Sequence, residues 1–192
     1  MSAKSKWSII IGSLLLAVSL SLIISSLVMA HNVKNVTYDT LLKIERILPE
    51  RSGGAKDSYS SMQMPSLEIN GRNVVAVLRI PELDVTLPVA SSFDKKAGSS
   101  YPQRVSGSVY DGSLVVTGAD LKGQLDCLKR LDLGNKLTVT DMTGAEFTYE
   151  VTEIERHKST SDIGADEITD LTLFVKDSSS QKYVVVSCIQ IP

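Results

Sequence analysis

Leu171-Thr172-Leu173-Phe174-Val175-Lys176-Asp177-Ser178-Ser179-Ser180-Gln181-Lys182-Tyr183-Val184-Val185-Val186-Ser187-Cys188 is the stretch whose reading decides the fold. Two runs rich in β-branched and aliphatic residues, Leu171 to Val175 and Tyr183 to Ser187, flank a polar, serine-rich turn, which predicts a β-hairpin. In the first run Leu171, Leu173 and Val175 fall on one face, with Thr172 and Phe174 on the other. A one-residue slip would turn the apolar set outward, so burial fixes the register. The first strand then ends on Lys176, where a lone lysine is ordinarily a solvated charge.

Working outward, short strands are predicted at Val74 to Ile80, Val85 to Val89, Ser113 to Thr117, Lys136 to Thr140 and Phe147 to Ile154. They are separated by turn signals at Pro81-Glu82, Asp111-Gly112, Leu133-Gly134-Asn135 and Thr143-Gly144. One helical piece is expected at Lys122 to Leu131, where Leu125, Leu128 and Leu131 share a face. Many short strands with few helices imply an all-β domain, a closed or nearly closed antiparallel barrel. It is expected to span residues 67–192.

Ahead of the barrel the composition changes twice. Trp7 to Ala30 carries no charge and is long enough to cross a hydrocarbon core as a helix. Lys4 and Lys6 precede it, so residues 1–6 are expected in the cytoplasm, 7–30 as a transmembrane signal anchor and the domain outside the cell membrane. Val28-Met29-Ala30 also fits a signal-peptide cleavage site, but the apolar run is longer than a usual signal core. Residues 31–66 are expected to form a juxtamembrane helix and then a spacer. Leu41, Leu42, Ile44, Ile47 and Leu48 recur at helical spacing, and Pro49 to Pro65 is polar and serine- and glycine-rich, the composition of a flexible linker.

The 192 residues carry a net charge of −2, which argues against a nucleic-acid partner, since phosphates demand a basic face. Cys127 and Cys188 are too few for a disulfide framework or a structural zinc site, and His31 and His157 match no metal spacing. Neither a metal nor a cofactor is expected. A Cys127–Cys188 pair is open in an oxidising compartment, on the condition that their α-carbons lie within about 7 Å.

Taken in order, several segments resemble the sortases, the membrane-anchored cysteine transpeptidases of Gram-positive bacteria. Val77-Leu78-Arg79-Ile80-Pro81-Glu82-Leu83-Asp84-Val85-Thr86-Leu87-Pro88-Val89 is similar to the family's opening strands, and Tyr101 to Gly118 to the segment leading to its Gly-His. Leu128 to Asp141, Phe147 to Val151 and Asp170 to Phe174 follow in the family's order. The resemblance covers roughly residues 72 to 188 and is nearest the class B-like sortases of clostridia. It implies a sortase-like barrel and a site of three side chains: a cysteine thiolate that attacks a sorting-signal carbonyl, a histidine that moves protons and an arginine that stabilises the oxyanion.

At the positions the resemblance assigns to those three, this chain has Ala119 after Gly118, Lys176 at the end of the Leu-Thr-Leu strand and Tyr183 at the start of the next. The expectation is a catalytically degenerate sortase-like protein, a binding or accessory module for cell-wall sorting or pilus assembly. Its expected partners are a sorting-signal peptide, a pilin or a true sortase. Asp120 is expected to face Lys176 and pair with it. The alternative is an active transpeptidase with a displaced site, in which Val184-Val185-Val186-Ser187-Cys188 is the nucleophile strand. It leaves Cys188 without a following histidine at Gly118, and His157 reads as an exposed loop residue.

Overall fold

Alternation in the closing hairpin produces the pairing that organises the barrel. In the computed structural model, which describes residues 3–48, 52–53, 63–92, 101–161, 163 and 169–192, ten strands follow one helix. The helix α1 spans Ala3–Ile47; the strands are β1 (Ser52–Gly53), β2 (Leu67–Ile69), β3 (Arg72–Ile80), β4 (Val85–Ala90) and β5 (Gln103–Ser106). Then come β6 (Leu114–Gly118), β7 (Lys136–Asp141), β8 (Ala145–His157), β9 (Leu171–Lys176) and β10 (Tyr183–Ile191). The sheet runs β1-β8-β10-β9-β6-β5-β4-β3-β2, and β7 pairs with both β3 and β8. That double pairing closes β3 to β10 into a ring, which removes the exposed edges an open sheet would carry.

The barrel is not purely antiparallel as expected. β6 pairs parallel with β9, β4 with β5 and β1 with β8. A parallel neighbour is reached by a long crossover rather than a tight turn, so no local turn signal marks it. The helix expected at Lys122 to Leu131 is instead a 3-10 helix over Leu125–Arg130. Gly123 before it has a φ of 89°, and Leu125, Leu128 and Leu131 are buried, an i, i+3 repeat that a three-residue turn stacks directly.

The interior is filled by inward residues of every ring strand but β5, including Leu78, Leu87, Val116, Leu137, Phe147, Leu173 and Val186. A carboxylate is also built into it. Asp141 is fully buried, and its Oδ2 accepts the Tyr110 hydroxyl at 2.5 Å. Its Oδ1 accepts the Thr143 amide at 2.8 Å, the Thr143 hydroxyl at 2.7 Å and the Ala145 amide at 2.9 Å, which fixes the β7–β8 turn.

The segments expected as anchor and juxtamembrane helix form one helix. Thr37, Thr40 and Ile44 are buried, and Ile44 packs with Ile69, Val74, Ala90 and Tyr101. Asn70 and Gly71, with φ of 55° and 73°, make the tight β2–β3 turn that Asn-Gly favours. The Asn70 side chain donates to Asp39 at 3.0 Å and Thr40 at 3.2 Å and accepts from Lys43 at 2.5 Å. Of the expected spacer, Ser52–Gly53 pairs with Ala145 and Glu146 of β8, while most of its length lies outside the described residues. Among the described residues no helix is long and apolar enough to cross a membrane.

Candidate functional site

β9 divides its side chains between two environments. Leu171, Leu173 and Val175 enter the core, and Thr172, Phe174 and Lys176 point outward. Across the ladders Thr172 lies opposite Val115 and Ser187, Phe174 opposite Thr117 and Val185, and Lys176 opposite Tyr183. Directly paired residues share a face, so the outer surface of β6, β9 and β10 is one continuous floor. Its centre is apolar: Val115, Phe174 and Val185 are buried, with Ile163 of the β8–β9 connection and Tyr183 packed against them. The Phe174 and Tyr183 rings meet edge to face at 6.2 Å. The Thr117 hydroxyl donates to the Phe174 carbonyl at 3.1 Å and ties β6 to β9 along that floor.

Ala119, Lys176 and Tyr183 come together at one end of it. Gly118 and Val175 are the last parallel pair of β6 and β9, and Ala119 and Lys176 are the residues that follow them. Lys176 is exposed. The Ala119 amide donates to Oε1 of the fully buried Gln124 at 2.9 Å. A Cβ on Gly118 would sit 3.0 Å from the Leu125 side chain and 3.2 Å from that same Gln124 oxygen, so glycine lets the 3-10 turn close over the corner.

Asp120 does not answer Lys176. It forms an ion pair with Lys129 of the 3-10 turn and accepts the Ser178 amide at 2.9 Å, and among the described residues Lys176 has no ion pair. Lys129 also lies 3.9 Å from Asp177. Asp177 accepts the hydroxyls of Ser180 at 2.6 Å and Ser179 at 2.8 Å and the Ser179 amide at 3.0 Å. Burial pushes the Asp120 carboxyl up, but the Lys129 and Ser178 hydrogen bonds outweigh it and hold it below the usual carboxylate range. The hydroxyl of Ser180, then the hydroxyl and the amide of Ser179, hold Asp177 lower still. The same Asp120 contact raises Lys129. Three segments are thereby stitched together: the one leaving β6, the 3-10 turn and the β9–β10 turn. Lys129, Gln124 and Asp177 had no motif to announce them.

A carboxyl lowered in the folded state adds stability above its unfolded pKa, about 3.9, and that stability is lost as pH falls through the folded value. Melting between pH 5 and pH 2 is therefore expected to show an acid-side loss that Asp120→Asn flattens, from a pair worth about 1 kcal/mol. An unchanged acid slope in Asp120→Asn would remove this group from the balance.

Both cysteines lie inside the barrel, and both are free. Cys188 stands in β10 between Val151 and Leu171, fully buried, and burial pushes its thiol up to about 12. Cys127 is likewise at about 12, first through burial and then through Asp126, and its Sγ–H donates to the Gln124 carbonyl at 3.2 Å. Protonated, enclosed thiols are poor nucleophiles. His157 is not a loop residue but the last of β8, opposite Tyr183 and 2.6 Å from Glu155. It stands six residues beyond Val151, the β8 partner of Cys188, or roughly 20 Å along the strand. It cannot serve that thiol.

Neither a family profile nor a curated relative matches the chain. Solved structures do. Sortase A from Corynebacterium diphtheriae aligns at TM-score 0.55 with 18% identity over 85% of this chain and 83% of its own. A sortase D5 transpeptidase from Clostridium perfringens aligns at 0.55 with 14% identity, covering 83% and 98%. Sortase C-1 from Actinomyces oris aligns at 0.53 with 22% identity, covering 61% and 73%. At such identities the likeness establishes the sortase fold.

Proposed function

We propose that this chain is a membrane-anchored, extracytoplasmic protein of sortase fold that has given up transpeptidation and acts as a binding or accessory module in cell-wall sorting or pilus assembly. The observation that carries the reading is the corner where β6 and β9 end and β10 begins. Ala119, Lys176 and Tyr183 meet there, and they offer neither a thiol to attack, an imidazole to move protons nor a guanidinium to hold an oxyanion. The class B-like assignment rests on the order of its sequence motifs.

What remains at the site suits recognition. The floor of Val115, Phe174, Val185 and Tyr183 is a sheet surface with an aromatic edge, beside which an extended sorting-signal peptide, carried by a pilin or presented by a true sortase, finds shape without chemistry. The anchor rests on the uncharged run Trp7 to Ala30, which α1 contains although no helix is long and apolar enough to cross a membrane among the described residues alone. Leu14, Leu15, Leu16, Val18, Leu20, Leu22, Ile23 and Ile24 are all more than half exposed, apolar around the whole helix. The Ser19 and Ser25 hydroxyls turn back to the carbonyls of Leu16 at 3.0 Å and Ser21 at 2.9 Å, as a hydrocarbon environment demands. Retention of residues 1–30 in the mature protein, read by intact mass, is the expected result; an N-terminus at His31 would refute the anchor.

The test is turnover of fluorogenic sorting-signal peptides by the purified full chain in detergent. No cleavage or transpeptidation is expected, and peptide binding is expected to fall at least tenfold in Phe174→Asp. Thiol-dependent turnover abolished by Cys188→Ala would overturn the reading, and peptide binding that Phe174→Asp leaves unchanged would overturn the assigned floor.

A further inference from the structure

We propose that the end of α1 is a rigid strut that holds the barrel against the bilayer surface in a single orientation, with the Asn70-Gly71 turn toward the lipid headgroups and the Pro81–Leu83 end pointing away. The inference rests on the anchor reading above and adds to it a geometry that the spacer composition of Pro49 to Pro65 does not suggest.

Three observations carry it. The helix is continuous over Ala3–Ile47, with no break between its apolar part and its docked part. Docking begins early, since Thr37 is already buried and Thr40 and Ile44 follow at helical spacing. Thr37 stands seven positions after Ala30, about 10 Å of helix at about 1.5 Å per residue, while the headgroup layer is about 5–8 Å deep on each side. The barrel therefore starts where the headgroups end.

The contacts also fix which end is lower. Asp39, Thr40 and Lys43 bind Asn70, ahead of β3, and Ile44 packs on Ile69 and Val74. Further along, Glu45 and Leu48 line the groove that Val77, Arg79 and Thr138 complete. Residue numbers in α1 and β3 rise together, so both run away from the membrane. Beyond β3, Glu82 of the Pro81–Leu83 turn accepts the Lys136 amide at 2.9 Å, which places the Asp132–Asn135 turn at the distal end.

The experiment uses the full chain in vesicles of phosphatidylcholine and phosphatidylglycerol that carry an acceptor dye on the headgroups. Donor dye is placed by maleimide at Glu68→Cys, beside the proximal turn, or at Leu133→Cys, both exposed, while Cys127 and Cys188 are enclosed and stay unlabelled. Energy transfer is expected to be stronger from position 68 than from position 133. That difference should be lost when Gly-Gly-Ser-Gly is inserted between Asn35 and Val36, although the protein still floats with the vesicles. Equal transfer from the two positions in the uninterrupted chain overturns the strut, as does a difference that survives the insertion. Failure to float instead overturns the anchor reading itself, and the strut with it.

Discussion

Asp141→Ala is expected to cost the barrel about 3–5 kcal/mol, measured as a shift of the urea midpoint at constant m. The aspartate is fully buried and accepts four hydrogen bonds, from the Tyr110 hydroxyl, the Thr143 amide and hydroxyl, and the Ala145 amide. Tyr110 and Ala145 are almost completely enclosed as well, so water does not replace the lost acceptor. Each donor left unmade in such a place costs about 1–3 kcal/mol. Asp141→Asn keeps an oxygen for the turn amides and presents its amide group to Tyr110, whose hydroxyl can rotate to accept. Its cost is expected near 1–2 kcal/mol, about that of one altered hydrogen bond. Against a total stability of about 5–15 kcal/mol the alanine loss is severe. An alanine variant within about 1 kcal/mol of wild type would mean that the β7–β8 turn does not depend on this group.

That aspartate stood inside a motif and the strands around it were legible, because their alternation and turn residues are local signals. The hairpin register of β9 and β10 followed from Leu171, Leu173 and Val175 alone, and the pairing of Val175 with Val184 realises it. β2 and β5 escaped notice for the same physical reason in reverse. Leu67–Ile69 has three residues, and Gln103–Ser106 carries a single aliphatic side chain, Val105, which is exposed. Neither has enough alternation to declare itself. The partner of Asp120 was missed because two lysines compete for the corner and chain proximity does not rank them. Lys129 reaches it from a 3-10 turn whose geometry the leucine spacing concealed, while Lys176 is drawn outward by the strand face on which it sits. The burial of Cys188 was equally hidden, since only closure of the ring puts β10 between β8 and β9. The docking of α1 depends on Asn70, a residue that on its own reads as a turn former.

Cutting the chain to begin at Leu67, where the composition places the domain boundary, is expected to lower Tm by about 10 °C or more relative to one that begins at Asn35. The cut removes Ile44, which is 1% exposed, and with it the cover over Ile69, Val74, Ala90 and Tyr101. A buried isoleucine truncated to alanine costs about 2–5 kcal/mol, and here partly buried Leu41 and Leu48 are lost too. Asn70 would lose its partners Asp39, Thr40 and Lys43, but the exposed Asp39–Lys43 pair, at 3.0 Å, contributes little by itself. The apolar contact is the dominant loss. Ile44→Ala in the chain beginning at Asn35 should accordingly account for most of the drop, and Lys43→Ala for less than about 1 kcal/mol of it. The uncovered apolar face should also promote self-association of the shorter chain, visible as a rise in light scattering below its Tm. Equal melting of the two lengths would show that α1 merely rests on the barrel. The Ile44 contact would then have no structural weight, and the outer face of β3 and β4 would be stable on its own.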